Sequence, residues 1–238
     1  MVKSPRLLAV CTATRCTSIA VLEDGRVSGE MVMRSPRTHT NLLLPNVRRL
    51  LAGLERDIPD FDAFVAVVGP GAFTGLRVGV ATVKGLATAA HRPTIAISSL
   101  LTLAAQFPAS HFPICALLDA RKSEVYVGRY CRQLDEPVLS HPERVMTPEQ
   151  LLDEIDEETL FVGDGAIVYR PLIEARLGRR AHFAPTSLAE PRAALAAALA
   201  DREYRAQRTL SPGQLTPVYI RRAEAEIMSE KSGRTLPQ

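Results

Sequence analysis

Leu7–Ala13 is an apolar run that ends in small and hydroxyl residues, the pattern of a buried strand. Thr17–Leu22 predicts a second strand, and Asp24-Gly25 after it is a strong two-residue hairpin signal. Arg26–Met33 is then the returning strand, with Val27, Met31 and Met33 apolar. Between Thr38 and Leu54 the period changes. Leu43, Val47, Leu50, Leu51 and Leu54 recur at spacings of three and four, which makes one apolar helix face. Thr38 suits the N-cap, and Pro45 is expected to kink or interrupt the helix. Phe64–Val68 reads as a fully apolar strand, Gly75–Ala90 as a helix rich in small residues, and Thr94–Ile97 as another buried strand. The order β-β-β-α-β-α-β predicts a mixed sheet with helical crossovers.

A second section repeats that opening more loosely. Ile114–Asp119 and Glu124–Tyr130 predict strands around a tight polar turn, and residues from Pro137 to Val145 supply a third. Thr147 caps a helix over Pro148–Ile155, with proline at its first position and Glu149 and Glu154 on the exposed side. Leu160–Val162 is a strand before Gly163-Asp164-Gly165, and helices are expected at Ile167–Leu177 and Leu188–Ala200. The two prolines of Phe107–Pro113 mark the lobe boundary. This divides the chain into an N-terminal lobe (1–108), a C-terminal lobe (109–225) and a polar tail (226–238) that is expected to fray.

Composition narrows the class. The chain has 238 residues, is 46% hydrophobic and 23% charged, and carries a net charge of +3, an ordinary globular balance. It has no Lys/Arg block of the kind that marks a basic tail, and so even a balance gives little sign of a nucleic-acid surface. Cys11, Cys16, Cys115 and Cys131 form no C-x-x-C and no zinc spacing, which suits free thiols in a reducing cytosol. The charged N-terminus lacks the apolar stretch of a signal peptide, and no window offers the ~20 apolar residues of a membrane span. The expectation is a soluble cytoplasmic protein with no membrane partner.

The most specific stretch is Gly69-Pro70-Gly71-Ala72-Phe73-Thr74-Gly75, between a strand and a helix. Backbone N–H groups at such a helix start can hold an anion, so Gly69, Gly71 and Gly75, with Gly163 and Gly165, are candidate phosphate or nucleotide contacts. The glycine spacing is one residue too long for a dinucleotide fingerprint, and no G-K-[ST] closes a Walker loop. The alternative is a tight turn whose glycines permit positive φ and close helix–strand packing. Gly75, Gly79 and Gly85 within one helix suggest a close approach by either the sheet beneath or a second chain. No two histidines stand at helical spacing, so no helical metal pair is present. Ser98-Ser99 lies outside a nucleophile elbow. Asp119 and Glu124 bracket a turn with Arg121 and Lys122, a solvated set of ion pairs rather than paired catalytic acids.

These segments together resemble the TsaB (YeaZ) family. Leu7–Thr14 is similar to its opening strand, Arg37-Thr38-His39 with Leu42–Pro45 to its first helix, and Gly69–Ala87 to its glycine-rich signature. Asp119-Ala120-Arg121 with Glu124-Val125-Tyr126, then Gly163-Asp164-Gly165 and Pro217-Val218-Tyr219-Ile220-Arg221, follow in the family's order. The resemblance implies an α/β, two-lobed fold of the actin/sugar-kinase/Hsp70 type, each lobe a mixed sheet with helices. It also implies a TsaD-type catalytic partner, a TsaE-type ATPase and contact with tRNA through that complex, which forms N6-threonylcarbamoyladenosine. This chain would be the non-catalytic scaffold, able to form a homodimer when alone. It would hold no cofactor or metal by itself, with ATP or ADP in the complex.

Two departures bear on mechanism. In an ungapped comparison Ser99 and Leu103 stand where the catalytic relative carries an H-x-x-x-H metal pair, and leucine has no ligand atom. Cys11 stands where relatives usually carry Asp, and a thiol is a poor substitute for binding Mg²⁺. The partner surface is expected on the first long helix and the glycine-rich helix, at Leu43, Val47, Gly75, Leu76, Gly79 and Val83, so that a bulky residue at position 79 would abolish pairing but spare the fold. Two other readings remain open: a stand-alone nucleotide-binding protein, and a glycoprotease-like metallopeptidase.

Overall fold

The computed structural model describes residues 4–34, 39–133 and 136–221. The expected Thr38 cap and the polar tail from 226 lie outside these residues. The chain builds two five-stranded mixed sheets. The first contains β1 (Leu7–Cys11), β2 (Cys16–Glu23), β3 (Arg26–Arg34), β4 (Ala63–Gly69) and β5 (Thr94–Ser98), in the order β3-β2-β1-β4-β5. The second contains β6 (Ile114–Arg121), β7 (Glu124–Gln133), β8 (Glu136–Met146), β9 (Thr159–Val162) and β10 (Ala181–Phe183), in the order β10-β9-β6-β7-β8. Each sheet opens with an antiparallel three-strand meander and then adds two parallel strands beside its first strand. The looser second copy read from the sequence is thus a repeat of topology.

The central strand β1 is buried along its whole length because helices cover both of its faces. Leu8 and Val10 pack with Leu43, Val47, Val80 and Val83, from α1 (His39–Gly53) and α2 (Phe73–Ala90). Leu7, Ala9 and Cys11 pack on the other side with Ala193, Ala197 and Ala200 of α7 (Ala193–Arg205). Helix α7 and the segment that follows it, grouped by sequence with the second lobe, therefore lie on the first sheet. Glu30 on β3 holds the start of α7. It accepts from the Ala194 N–H at 3.3 Å and pairs with Arg192, while Ser18 Oγ accepts from the Ala193 N–H at 2.9 Å.

The remaining helices are α3 (Ser99–Ala104), α4 (Pro148–Asp153), α5 (Asp164–Val168) and α6 (Arg170–Leu177). Helix α1 continues through Pro45. Both the proline and Asn41, whose carbonyl would have bonded its missing N–H, are exposed, so water can satisfy that carbonyl. The single helix expected over Ile167–Leu177 starts at Asp164 and divides at Tyr169, because Pro171 has no N–H to continue the ladder. The helix expected from Leu188 starts instead at Ala193, after Pro191. Among the described strands and α-helices, two were not foreseen. Helix α3 is capped by Ser98 Oγ, which accepts from the Leu100 and Leu101 N–H groups at 3.1 and 3.2 Å, and β10 spans only three residues. The Asp24-Gly25 hairpin forms as expected, with φ of 50° and 72°. The β6–β7 turn is costlier, since Arg121, Lys122 and Ser123 all take positive φ, at roughly 1–2 kcal/mol per non-glycine residue.

Candidate functional site

A cleft of about 880 Å³ opens between the sheets. Its walls come from the carboxyl ends of the parallel strands, where ligand sites of α/β sheets usually form. Ala13-Thr14-Arg15 follows β1, Gly71-Ala72-Phe73 follows β4, Asp119 stands two residues before the end of β6, and Asp164 opens α5 after β9.

Glycines let these ends meet. A Cβ on Gly71 would stand 2.2 Å from the Ala13 carbonyl oxygen, which accepts from the Ala72 N–H at 2.7 Å. Gly69 lies under the Val218 carbonyl, where a Cβ would be 2.6 Å from the oxygen. Helix α2 rests directly on β1. Thr12 Oγ1 donates to the Gly75 carbonyl at 2.7 Å, and a Cβ on Gly79 would stand 2.2 Å from the Thr12 hydroxyl oxygen. Gly163 and Gly165 press against Leu117 and Leu118. Among the five glycines suggested as phosphate contacts, only Gly71 borders the cleft. Gly69, Gly163 and Gly165 are accounted for by close approach to neighbouring backbone, and Gly75 is buried with its carbonyl accepting from Thr12.

Three carboxylates face the cavity: Asp119, Asp164 and Glu190. Glu190 accepts from Thr14 Oγ1 at 2.5 Å and lies 3.6 Å from Arg34 Nη1. Asp164 accepts from the Asp119 N–H at 3.0 Å. Burial first, and then the nearby charges of Glu190 and Asp119, outweigh these hydrogen bonds and push Asp164 up to about 6. Its folded value lies above the ordinary ~3.9, so the folded state holds the proton more tightly. The resulting stability is fully present below pH ~4 and is lost as pH rises through about 6. Asp164→Asn keeps the acceptor without the charge. It is expected to raise stability at pH 7 by up to about 2 kcal/mol and to flatten the pH dependence between 4 and 6 in urea titrations. An unchanged pH profile would refute this.

The mouth of the cleft is aromatic. Phe73 and Tyr219 lie 5.0 Å apart, Arg77 sits over Phe73 at 3.9 Å, and its Nε donates to Tyr219 Oη at 3.0 Å. Sequence reasoning missed Phe73 and Glu190 as cleft groups, and Arg77 as the residue that braces Phe73 and Tyr219. Tyr219 and Arg221 were legible only as part of a terminal motif.

Comparison with known proteins places this architecture. A family model described as TsaD, tRNA N6-adenosine threonylcarbamoyltransferase, matches residues 33–229. The chain is 31% identical over 226 residues to the tRNA threonylcarbamoyladenosine biosynthesis protein TsaB of Haemophilus influenzae, covering 90% of this chain and 93% of the relative. The chain belongs to the TsaB (YeaZ) family. The solved YeaZ from Pseudomonas aeruginosa superposes with a TM-score of 0.80 at 34% identity, over 90% of this chain and 99% of that one. Component A of (R)-2-hydroxyglutaryl-CoA dehydratase from Acidaminococcus fermentans, at 13% identity and a TM-score of 0.50 over 85% of this chain and all of that one, shares the two-lobed fold alone.

The three positions singled out in the sequence as bearing on mechanism, Ser99, Leu103 and Cys11, have defined surroundings. Ser99 donates its hydroxyl to the Pro70 carbonyl, and Leu103 is fully buried in the core beneath the second sheet. Cys11 does not face the cleft. It packs under α7, and burial pushes its thiol up to about 12. Among the described residues no three His, Cys, Asp or Glu side chains could hold a metal ion, and no helix is long and apolar enough to cross a membrane.

The expected partner surface needs correction. Leu43, Val47, Gly75, Leu76, Gly79 and Val83 are all buried in the chain's own core. The apolar period of α1 and α2 marks the side that packs on the sheet, so it cannot also be the outward side. Leu44, Arg48, Ala81 and Gly85 face outward, and Gly85 has nothing within 4 Å of where its Cβ would be.

Proposed function

We propose that this chain serves tRNA threonylcarbamoyladenosine biosynthesis as a non-catalytic scaffold and activator. In this reading it pairs with a TsaD-type subunit that carries the chemistry, is joined by a TsaE-type ATPase, and meets tRNA only through that assembly. What supports the non-catalytic part is that Ser99, bound to the Pro70 carbonyl, and Leu103, buried in the core, are the residues that an ungapped comparison sets against the catalytic relative's histidines. A side chain without a lone pair, sealed in the core, cannot ligate a metal.

The outward face of α1 and α2 is the surface we assign to the partner, and to a second copy of this chain when the partner is absent. An exposed glycine in mid-helix costs about 1 kcal/mol relative to alanine and gives nothing back to this chain's own packing. Its use is to let another backbone approach. Gly85→Trp is therefore expected to weaken binding to the TsaD-type subunit by at least about tenfold with the melting temperature preserved. Titration calorimetry and thermal melting would check it, and undiminished affinity would remove this surface from consideration. The wider reading is tested by reconstituting tRNA modification with and without this chain. Loss of modification on omission, with no turnover by this chain alone, supports it; full modification without the chain overturns it.

A further inference from the structure

The chain crosses between the sheets twice, through α3 and through residues 184–192 between β10 and α7, and a further, non-covalent connection crosses the mouth of the cleft. Residues 215–221 run back along the first sheet as a strap. Leu215 is buried in the core under α2, and the Val218 N–H donates to the Val68 carbonyl at 2.8 Å. Tyr219 packs on Phe73 and accepts from Arg77, both on α2. Two residues later Arg221 leaves the first sheet altogether. Its Nη1 donates to the Ala120 carbonyl at 2.9 Å, and its guanidinium pairs with Glu124. Those two partners sit on either side of the turn at Arg121, Lys122 and Ser123, three consecutive non-glycine residues at positive φ.

We infer that the strap is a latch: Arg221 holds the β6–β7 turn of the second sheet against the α2 end of the first and so sets how far the cleft opens. A turn with three unfavourable backbone conformations in a row persists only when its surroundings hold it. Arg221 holds it from both sides, by the carbonyl before it and the carboxylate after it. The grip is partly solvated, with the Arg221 and Glu124 side chains 21% and 34% exposed, so it can be released without opening a core. On the first sheet the latch is seated on α2 through Tyr219 and Arg77, which makes α2 the element through which an event on the outer surface would reach the cleft. This inference stands on the strap's contacts and does not depend on which partner the chain has.

Spin labels at Ala89→Cys on α2 and Ala175→Cys on α6, in a Cys131→Ser background, report the separation of the two sheets, because the other three cysteines are buried. Pulsed-dipolar distances are compared in the full chain, in Arg221→Ala and in Tyr219→Ala, which cuts the strap at its other end. Both variants are expected to give a longer and broader distance distribution, and about tenfold faster amide exchange at residues 120–126, with a cooperative melt retained. Arg221→Lys keeps the charge but not the fork and is expected to fall between. Distances unchanged in Arg221→Ala would overturn the latch. So would distances that change only with loss of the cooperative melt, since the strap would then hold the fold and not the cleft.

Discussion

Gly163→Ala is expected to destabilise the chain by at least about 3 kcal/mol, enough to remove most of the margin of an ordinary domain. Two independent costs act at this position. The residue caps α5 with φ 102° and ψ 172°, a region that side-chain-bearing residues almost never enter, at a cost of order 1–3 kcal/mol. Its Cβ would also stand 2.0 Å from the Leu117 carbonyl oxygen and 3.1 Å from Leu103 Cδ1, so backbone atoms of β6 would have to move. Backbone in mid-sheet cannot yield as a side-chain tip can, and overpacking of this kind costs roughly another 1–3 kcal/mol. Urea denaturation of purified variants measures it. A loss below about 1 kcal/mol would show that β9 and α5 can shift off β6 and that the packing reading of Gly163-Asp164-Gly165 is wrong.

The second large effect is expected at Gly79, with a sign opposite to the one a partner-facing glycine would show. Alanine is the better helix former by about 1 kcal/mol, so an exposed Gly79→Ala would stabilise. Here the new methyl meets Thr12 Oγ1 at 2.2 Å, a hydroxyl already committed to the Gly75 carbonyl. Helix α2 must lift from β1 or lose that hydrogen bond, and the net result is a loss of about 1–3 kcal/mol. Gly79→Leu should fold poorly if at all. Thr12→Ala removes the obstructing oxygen, so the double variant Thr12→Ala/Gly79→Ala is expected to recover most of the loss relative to Gly79→Ala. That non-additivity identifies the contact. Simple additivity in the cycle would place the clash elsewhere. Any pairing defect seen in a Gly79 variant is then secondary to a damaged fold, whereas one seen in Gly85→Trp reports the surface itself.

Hydrophobic period and turn chemistry carried most of the secondary structure. The Asp24-Gly25 hairpin, the Thr147 cap and the alternation of fully apolar strands with helices were legible because each depends on residues close in the chain. Ordered motifs along the chain made the family legible as well. Boundaries shifted where a proline acted, at Pro171 and Pro191, and short elements such as β10 carried too few residues to show a period.

Tertiary structure alone decided which side of a helix is inside. The same stripe of Leu43 and Val47 suits a core or a partner surface, and only the packing of α1 on the sheet assigns it to the core. A glycine likewise does not reveal what approaches it. Thr12 lies 67 positions before Gly79 in chain order, and only the seating of α2 on β1 puts them in contact. The cleft was out of reach for the same reason. Its groups come from Thr14, Phe73, Asp119, Asp164, Glu190 and Tyr219, which have no shared period and meet because two similar sheets turn the ends of their parallel strands toward each other. Sequence by itself determined the elements, the repeat and the family, since these rest on local conformational preference and burial. Long-range contact decided the site, since distances between distant residues are set by how the sheets and helices pack.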